Sequence, residues 1–369
     1  MGFVKYTEYK PIEPPGYQEA LDEIVQNVVR KIRESVVREG VGRAVRGAHG
    51  KSYGLAKATV TVPELNDIYG QGVFAAPGRY DAVVRFSNGL GRLRADALLG
   101  PACGMGIKVF GVPGASLLAD EAEATTFDLN LMNSRTFFAN TVQDYVVIDE
   151  LFSELPDVLM TPATRNRWLG DLLTRKGTLP RDAWLWDELM SIMSFAAIPW
   201  KNLLTYTYNS VGAFRHGDYI AKLRSTPTQA SLDGIVHGVV DPTADAEAYR
   251  NTLIAEAAER DHGFELQAQL NTDLTRMPVD NTSVEWPESL SPWVTVARIE
   301  VPRQDISDEH NLEIADATSI TPWRVREEHR PLGEIQRVRE EVYRQSSIER
   351  HRINGQQRHE PTSSTALLG

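Results

Sequence analysis

Arg339 and Tyr343 lie four residues apart in a charged segment that runs from His329 to Arg350. On a helix this spacing lays a guanidinium against a phenol one turn away. A fixed cation beside a phenol favours the phenolate, which is a hard anionic ligand suited to ferric iron. Arg350 is seven residues beyond Tyr343, two turns along the same face. The same segment also reads as a solvated, charge-laced helix with one tyrosine packed inward.

Three further groups could join it. His49, in Arg46-Gly-Ala-His49-Gly, is either a surface histidine or an imidazole that accepts and returns a proton near neutral pH. In Val83-Val-Arg85-Phe-Ser87, strand alternation puts Arg85 and Ser87 on one face and Phe86 on the other. A buried guanidinium needs an anion, from another strand's carboxylate or from a cofactor's. Phe137, Phe138 and Tyr145 are either core packing or a stacking wall for a flat apolar cofactor. Asn133 either presents its amide to a ligand or caps the following turn.

These residues need elements to carry them. Apolar positions at helical spacing predict an amphipathic helix over residues 18–38. Strand-like segments follow at 56–62, 80–87, 104–110, 126–131, 209–214, 219–224, 264–270 and 295–301, separated by Gly and Pro clusters. Helices are expected at 144–155, 181–193, 244–260 and 334–350, and a polar, frayed tail at 354–369. Eight strands with helical excursions point to an antiparallel barrel of the α+β class, able to hold one ligand at its mouth. The organisation is an N-terminal arm and helix (1–45), a barrel with the late helix (46–353) and the tail.

The chain's 369 residues allow a sizeable core. With 39 basic against 50 acidic residues, a charge of -11 argues against general nucleic-acid binding. A single cysteine, Cys103, excludes an intrachain disulfide or a multi-cysteine metal site. No stretch approaches the ~20 apolar residues of a membrane helix, and the N-terminus lacks a secretory pattern. Cytoplasmic residence is the expectation.

Taken in order, the motifs resemble the catalase family. Arg46-Gly-Ala-His49 is similar to its distal Arg-x-x-His, Val84-Arg85-Phe86-Ser87 to the strand that follows, and Gly104-Met-Gly-Ile-Lys108-Val-Phe110 to a later strand. Asn133-Ser-Arg-Thr-Phe137-Phe138 resembles Asn-x-Pro-x-Phe-Phe, and Arg339-x-x-x-Tyr343 the proximal Arg-x-x-x-Tyr, with Arg350 in place of a further family arginine. The resemblance implies a catalase-like eight-stranded antiparallel barrel binding haem b. Tyr343 would be the iron ligand held ionised by Arg339, and His49 the distal proton shuttle oriented by Ser87. Arg46, Arg85 and Arg350 would meet the propionates, and Phe137, Phe138 and Tyr145 would wall the pocket.

Register from the Phe pair sets Met132 at the family's distal asparagine, with Asn133 adjacent as a substitute. Pro101 replaces a channel aspartate, Cys103 an arginine, and Ala48 a larger valine. The chain's length suggests the shorter, catalase-related branch. The activity implied is peroxidase chemistry on organic, including lipid, hydroperoxides, with weak catalase activity. Hydroperoxide lyase, isomerase or dehydratase chemistry and a non-enzymatic haem sensor or carrier are the alternatives. A homodimer or homotetramer is expected by the same resemblance.

Overall fold

The computed structural model describes residues 2–158 and 161–369, and the side chains of 153–158 lie outside that description. The strands are β1 Ser52–Val62, β2 Gly78–Asn88, β3 Cys103–Val109, β4 Phe127–Met132, β5 Tyr208–Ser210, β6 Phe214–His216, β7 Tyr219–Pro227, β8 His262–Leu270 and β9 Val294–Val301. They pair in the order β5-β4-β3-β2-β1-β9-β8-β7-β6, and a further β5–β7 pairing closes eight of them into an antiparallel barrel. β6 adds to β7 outside the closure. The segment 209–214, expected as one strand, is two short ones, because Ser210 turns its hydroxyl onto the carbonyl of Gly212 and breaks the run.

Cross-strand register decides which residues fill the barrel. Phe86 pairs with Met105, and Met105 with Leu131, and all three belong to one large apolar cluster. That cluster also takes Ala56, Ala58 and Val60 from β1, Phe264 and Leu266 from β8, and Ala297 and Ile299 from β9. The interior is therefore packed solid: a space of about 10 Å³ between β1, β3, β4 and β8 is too small for a ligand. The expectation that a ligand sits in the barrel mouth gives way to a different location, the outer wall.

Helices cover that wall. In chain order they are α1 Tyr17–Arg38, α2 Asp96–Leu99, α3 Val142–Val158, α4 Pro162–Leu173, α5 Trp186–Ala196, α6 Gln229–Asp233, α7 Ala248–Glu259, α8 Glu309–Ala317, α9 Glu334–Ile353 and α10 Ser364–Leu368. α1 was legible because Ile24, Val28 and Ile32 repeat every four residues. Those residues pack with Val142 and Val146 of α3 and Val338 and Val342 of α9. α4 and α8 were not expected; the side chains of Thr161 and Asp308 cap their N-termini.

The final residues are not frayed. Glu360 accepts hydrogen bonds from Lys108 Nζ and, at 2.7 Å, Thr126 Oγ1, and lies 3.1 Å from Arg324 Nη2. Ser364 N donates to Asp81 Oδ2 at 2.6 Å. The tail holds because Glu360 joins Asp128 and Glu121 around Lys108 and Arg324, two fully buried cations.

Candidate functional site

Ser87, Gly104 and Met132 form one cross-strand row, and Arg85, Gly106 and Asn130 the next. Both rows face away from the packed barrel interior, onto a cavity of about 510 Å³ between β2–β4 and helices α3, α5 and α9. The two glycines make its floor shallow. A Cβ on Gly104 would stand 2.5 Å from His49 Cε1, and one on Gly106 would stand 3.0 Å from Ile320 Cδ1.

His49 enters from the loop before β1 with a positive φ of 54°, an uncommon conformation for a residue with a side chain. The loop is held by His49 N donating to Gly89 O at 3.2 Å and Gly50 N to Leu90 O at 2.9 Å. Nδ1 lies 3.1 Å from Ser87 Oγ, which leaves Nε2 as the second ring nitrogen. Burial first, then the cations of Arg85, Arg339 and Arg46, pushes the imidazole down to about 3. It is a neutral base at physiological pH.

Tyr343 reaches the same cavity from α9. Arg339 Nη2 donates to its phenolic oxygen at 2.9 Å, and Arg339 Nη1 to Gln336 Oε1 at 2.7 Å. The one-turn spacing read from the sequence is thus a direct hydrogen bond. The Phe137 and Phe138 rings lie tilted by 32° with centroids 4.0 Å apart, and Tyr145 lies 6.1 Å from Phe137 and 6.4 Å from Phe138. All three aromatic residues line the cavity, and burial raises the Tyr145 phenol.

Arg46, Arg85 and Arg350 converge on the C-terminus of α8. Arg85 Nε donates to Ala315 O at 3.0 Å, Arg46 Nη2 to Thr318 O, and Arg350 Nη1 to Asp316 O. Carbonyls at a helix C-terminus carry partial negative charge and suit guanidinium donors. The carboxylate here is Asp316, 3.8 Å from Arg46, 4.0 Å from Arg85 and 2.5 Å from Arg43. One carboxylate cannot neutralise so many cations. Burial, the largest cause, pushes Arg350 down to about 10, and its buried Nε has no hydrogen-bond partner among the described residues.

Asn133 is the exception among the residues singled out from the sequence. Its Oδ1 accepts from Cys103 N at 2.8 Å and its Nδ2 donates to Pro101 O at 2.9 Å, so the amide serves the backbone of the β3 entrance. Met132 lines the cavity instead. One step along a strand reverses the face, and the register Gly104↔Met132 fixes which residue looks outward. Sequence reasoning missed two acids. Asp316 has no motif to mark it, and Asp149, which lines the cavity with Lys31 Nζ 2.5 Å away, lies on a helix whose burial only packing decides.

These features test whether haem fits. The cavity's size lies within the range of cofactor sites, Tyr343 lines it from α9, and aromatic residues wall it. Surplus buried guanidinium charge, with an orphaned Arg350 Nε, suits a ligand bearing carboxylates. The residues fit the group.

No protein-family model and no curated protein matches the sequence. Solved structures do match in shape. A fungal catalase superposes with a TM-score of 0.64 at 13 % identity, covering 100 % of this chain and 72 % of its own. Catalase A from Saccharomyces cerevisiae gives 0.62 at 14 %, covering 100 % and 75 %. A bacterial catalase gives 0.59 at 13 %, covering 93 % of this chain and 64 % of its own. With the closed eight-stranded barrel and its covering helices, these likenesses identify the chain as a member of the catalase fold.

Proposed function

We propose that the chain is a haem-dependent peroxidase acting on organic hydroperoxides. The observation that carries the reading is His49 and Tyr343 lining one cavity from different elements, each already hydrogen-bonded to the residue that would orient it. Tyr343 would ligate haem iron through its phenol oxygen, Arg339 would hold that oxygen, and Arg46, Arg85 and Arg350 would take the propionates. When bound, the haem supplies the redox centre for O–O cleavage. His49, neutral and held by Ser87, accepts the hydroperoxide's proton and returns it to the departing alkoxide oxygen, giving an alcohol. Over the whole cycle an external reductant would supply two electrons, with two protons, and the other oxygen would be released as water. A positioned acid–base group of this kind contributes ~10²–10⁴-fold.

A second reading, rearrangement of the hydroperoxide without external reductant, draws on one observation. Met132, an apolar side chain, lines the cavity in the row of Ser87, across Gly104 from it, where an amide would steer a small peroxide, and Phe137, Phe138, Phe152 and Phe195 extend the apolar wall. Both readings favour a bulky, apolar hydroperoxide over hydrogen peroxide.

The test is the absorption spectrum of haem-reconstituted protein with product analysis by mass spectrometry. Tyr343→Phe is expected to lose the tyrosinate-type spectrum, and an unchanged spectrum overturns the ligand assignment. Alcohol formed with stoichiometric loss of reductant supports peroxidase; rearranged products without reductant support the second reading.

A further inference from the structure

A second pocket, of about 460 Å³, lies where the start of β1 meets α7 and α8, and it shares no lining residue with the cavity described above. Its volume is that of a small-molecule site. Both signs of charge line it, Arg43, Lys51, Arg94 and Arg250 with Glu247 and Asp316. Such walls suit a hydroxylated, water-soluble molecule rather than an apolar hydroperoxide. Lys51 joins this pocket to the interior. Its Nζ donates to Asp96 Oδ1 at 2.8 Å and lies 5.6 Å from the centre of the Tyr53 ring.

From Tyr53 a file of aromatic rings runs to the cavity. Tyr53 and Tyr249 are fully buried with centroids 5.4 Å apart, and Tyr249 lies 5.0 Å from Trp200, which lines the cavity. Rings at these separations are in contact, and phenol and indole are the most readily oxidised ring side chains, so the file can pass single electrons. A phenol that loses an electron must also shed its proton, and the acceptor has to stand within hydrogen-bond reach. Tyr53 has one, because its hydroxyl donates to Asp96 Oδ1 at 2.8 Å. Tyr145, which walls the cavity itself, has no acceptor for its hydroxyl among the described residues. Oxidation is therefore directed past Tyr145 to Tyr53, beside the second pocket.

We propose that the second pocket takes the reductant, a phenol or ene-diol, and that Tyr53, Tyr249 and Trp200 pass its electrons singly to the cavity. This rests on the peroxidase reading above, which requires two electrons from outside. In each passage Tyr53 loses one electron toward Trp200 and its phenolic proton to Asp96 Oδ1. The donor in the pocket then returns an electron, the proton goes back from Asp96 to Tyr53, and the donor's own O–H proton leaves to water. Two donor molecules thus give two electrons and release two protons. The cavity takes up the same number in turning one hydroperoxide into alcohol and water.

The experiment mixes the full haem-loaded chain, without donor, with peracetic acid, which oxidises a haem centre whether or not bulky hydroperoxides are substrates. Samples frozen after mixing are read by electron paramagnetic resonance, with variants matched to the parent in haem content and circular dichroism. A tyrosyl radical is expected, identified by its narrowing with ring-deuterated tyrosine. Tyr53→Phe should lose it, and Trp200→Phe should form it more slowly. Hydroquinone is expected to quench the radical in the parent. Ala95→Trp fills the second pocket from its wall, and should leave radical formation unchanged while protecting the radical from hydroquinone. Absence of a tyrosyl radical overturns the inference. So does a radical that survives Tyr53→Phe and is lost in Tyr145→Phe, and so does equal quenching in parent and Ala95→Trp. The expected radical without turnover of organic hydroperoxides overturns the proposed function and leaves the relay intact, whereas turnover with hydroquinone and no radical does the reverse.

Discussion

His49 concentrates the electrostatics of the site in one ring. Burial and three guanidiniums hold it down to about 3, so the neutral base persists through the whole physiological range. Hydroperoxide turnover is therefore expected to stay flat from pH 8 to about 4, with no step near the ordinary histidine value of about 6.5; a stopped-flow pH profile checks this. The same shift has a sign for stability. Between about 6.5 and about 3 the unfolded chain binds a proton here and the folded chain does not, so stability falls as pH falls through that window. His49→Gln should flatten this dependence, read as a smaller loss of the urea midpoint between pH 6.5 and 4. In the same variant, turnover should drop ~10²–10⁴-fold with haem content retained. The residue type and its neighbours Arg46 and Ser87 were legible in the sequence. Its protonation state was not, because desolvation depends on what covers the ring.

Strands β2–β4 act as an element by presenting a flat outer row. Gly104 is the position where that row approaches His49, and Gly104→Ala would put a methyl within 2.5 Å of the ring. The backbone there belongs to an ordinary strand, so the variant is expected to fold, but with His49 displaced. The expected outcome is retained haem binding, altered distal-side spectra on adding cyanide, and at least about a tenfold loss of turnover, by the sensitivity of catalysis to small misplacements. Unaltered kinetics would refute the close-approach argument. Strand positions were readable from alternation, and α1 and α9 from helical spacing. α8 was overlooked between charged residues, although Asp308 caps its N-terminus by accepting from His310 N at 2.9 Å. That oversight concealed the carbonyls and the carboxylate on which the three arginines converge.

The whole molecule is fastened by charges far apart in sequence. Lys108 and Asp128 are 2.9 Å apart and fully buried, Arg324 joins Asp128, and Glu360 and Glu121 complete the cluster. Burial opposes the charge on Arg324, but these carboxylates outweigh it and raise the group. Removing one carboxylate from such a set leaves the buried cations with less compensating charge. Glu360→Gln is expected to cost about 1–3 kcal/mol, and deletion of residues 357–369 more, because α10 packs Leu367 and Leu368 against the cluster of Leu55 and Phe110. Thermal unfolding followed by circular dichroism measures both; an unchanged midpoint for the deletion would show that the tail holds nothing. Among the described residues no helix is long and apolar enough to cross a membrane.

Sequence alone determined the antiparallel strands, the two long helices and the pairing of Arg339 with Tyr343, because periodicity and one-turn spacing are local and survive without knowledge of neighbours. Tertiary structure decided that the cavity lies on the outer wall of a filled barrel, that Met132 rather than Asn133 faces it, and that the tail is anchored. Each of those outcomes depends on register or on a charge partner hundreds of residues away, and a linear pattern carries neither.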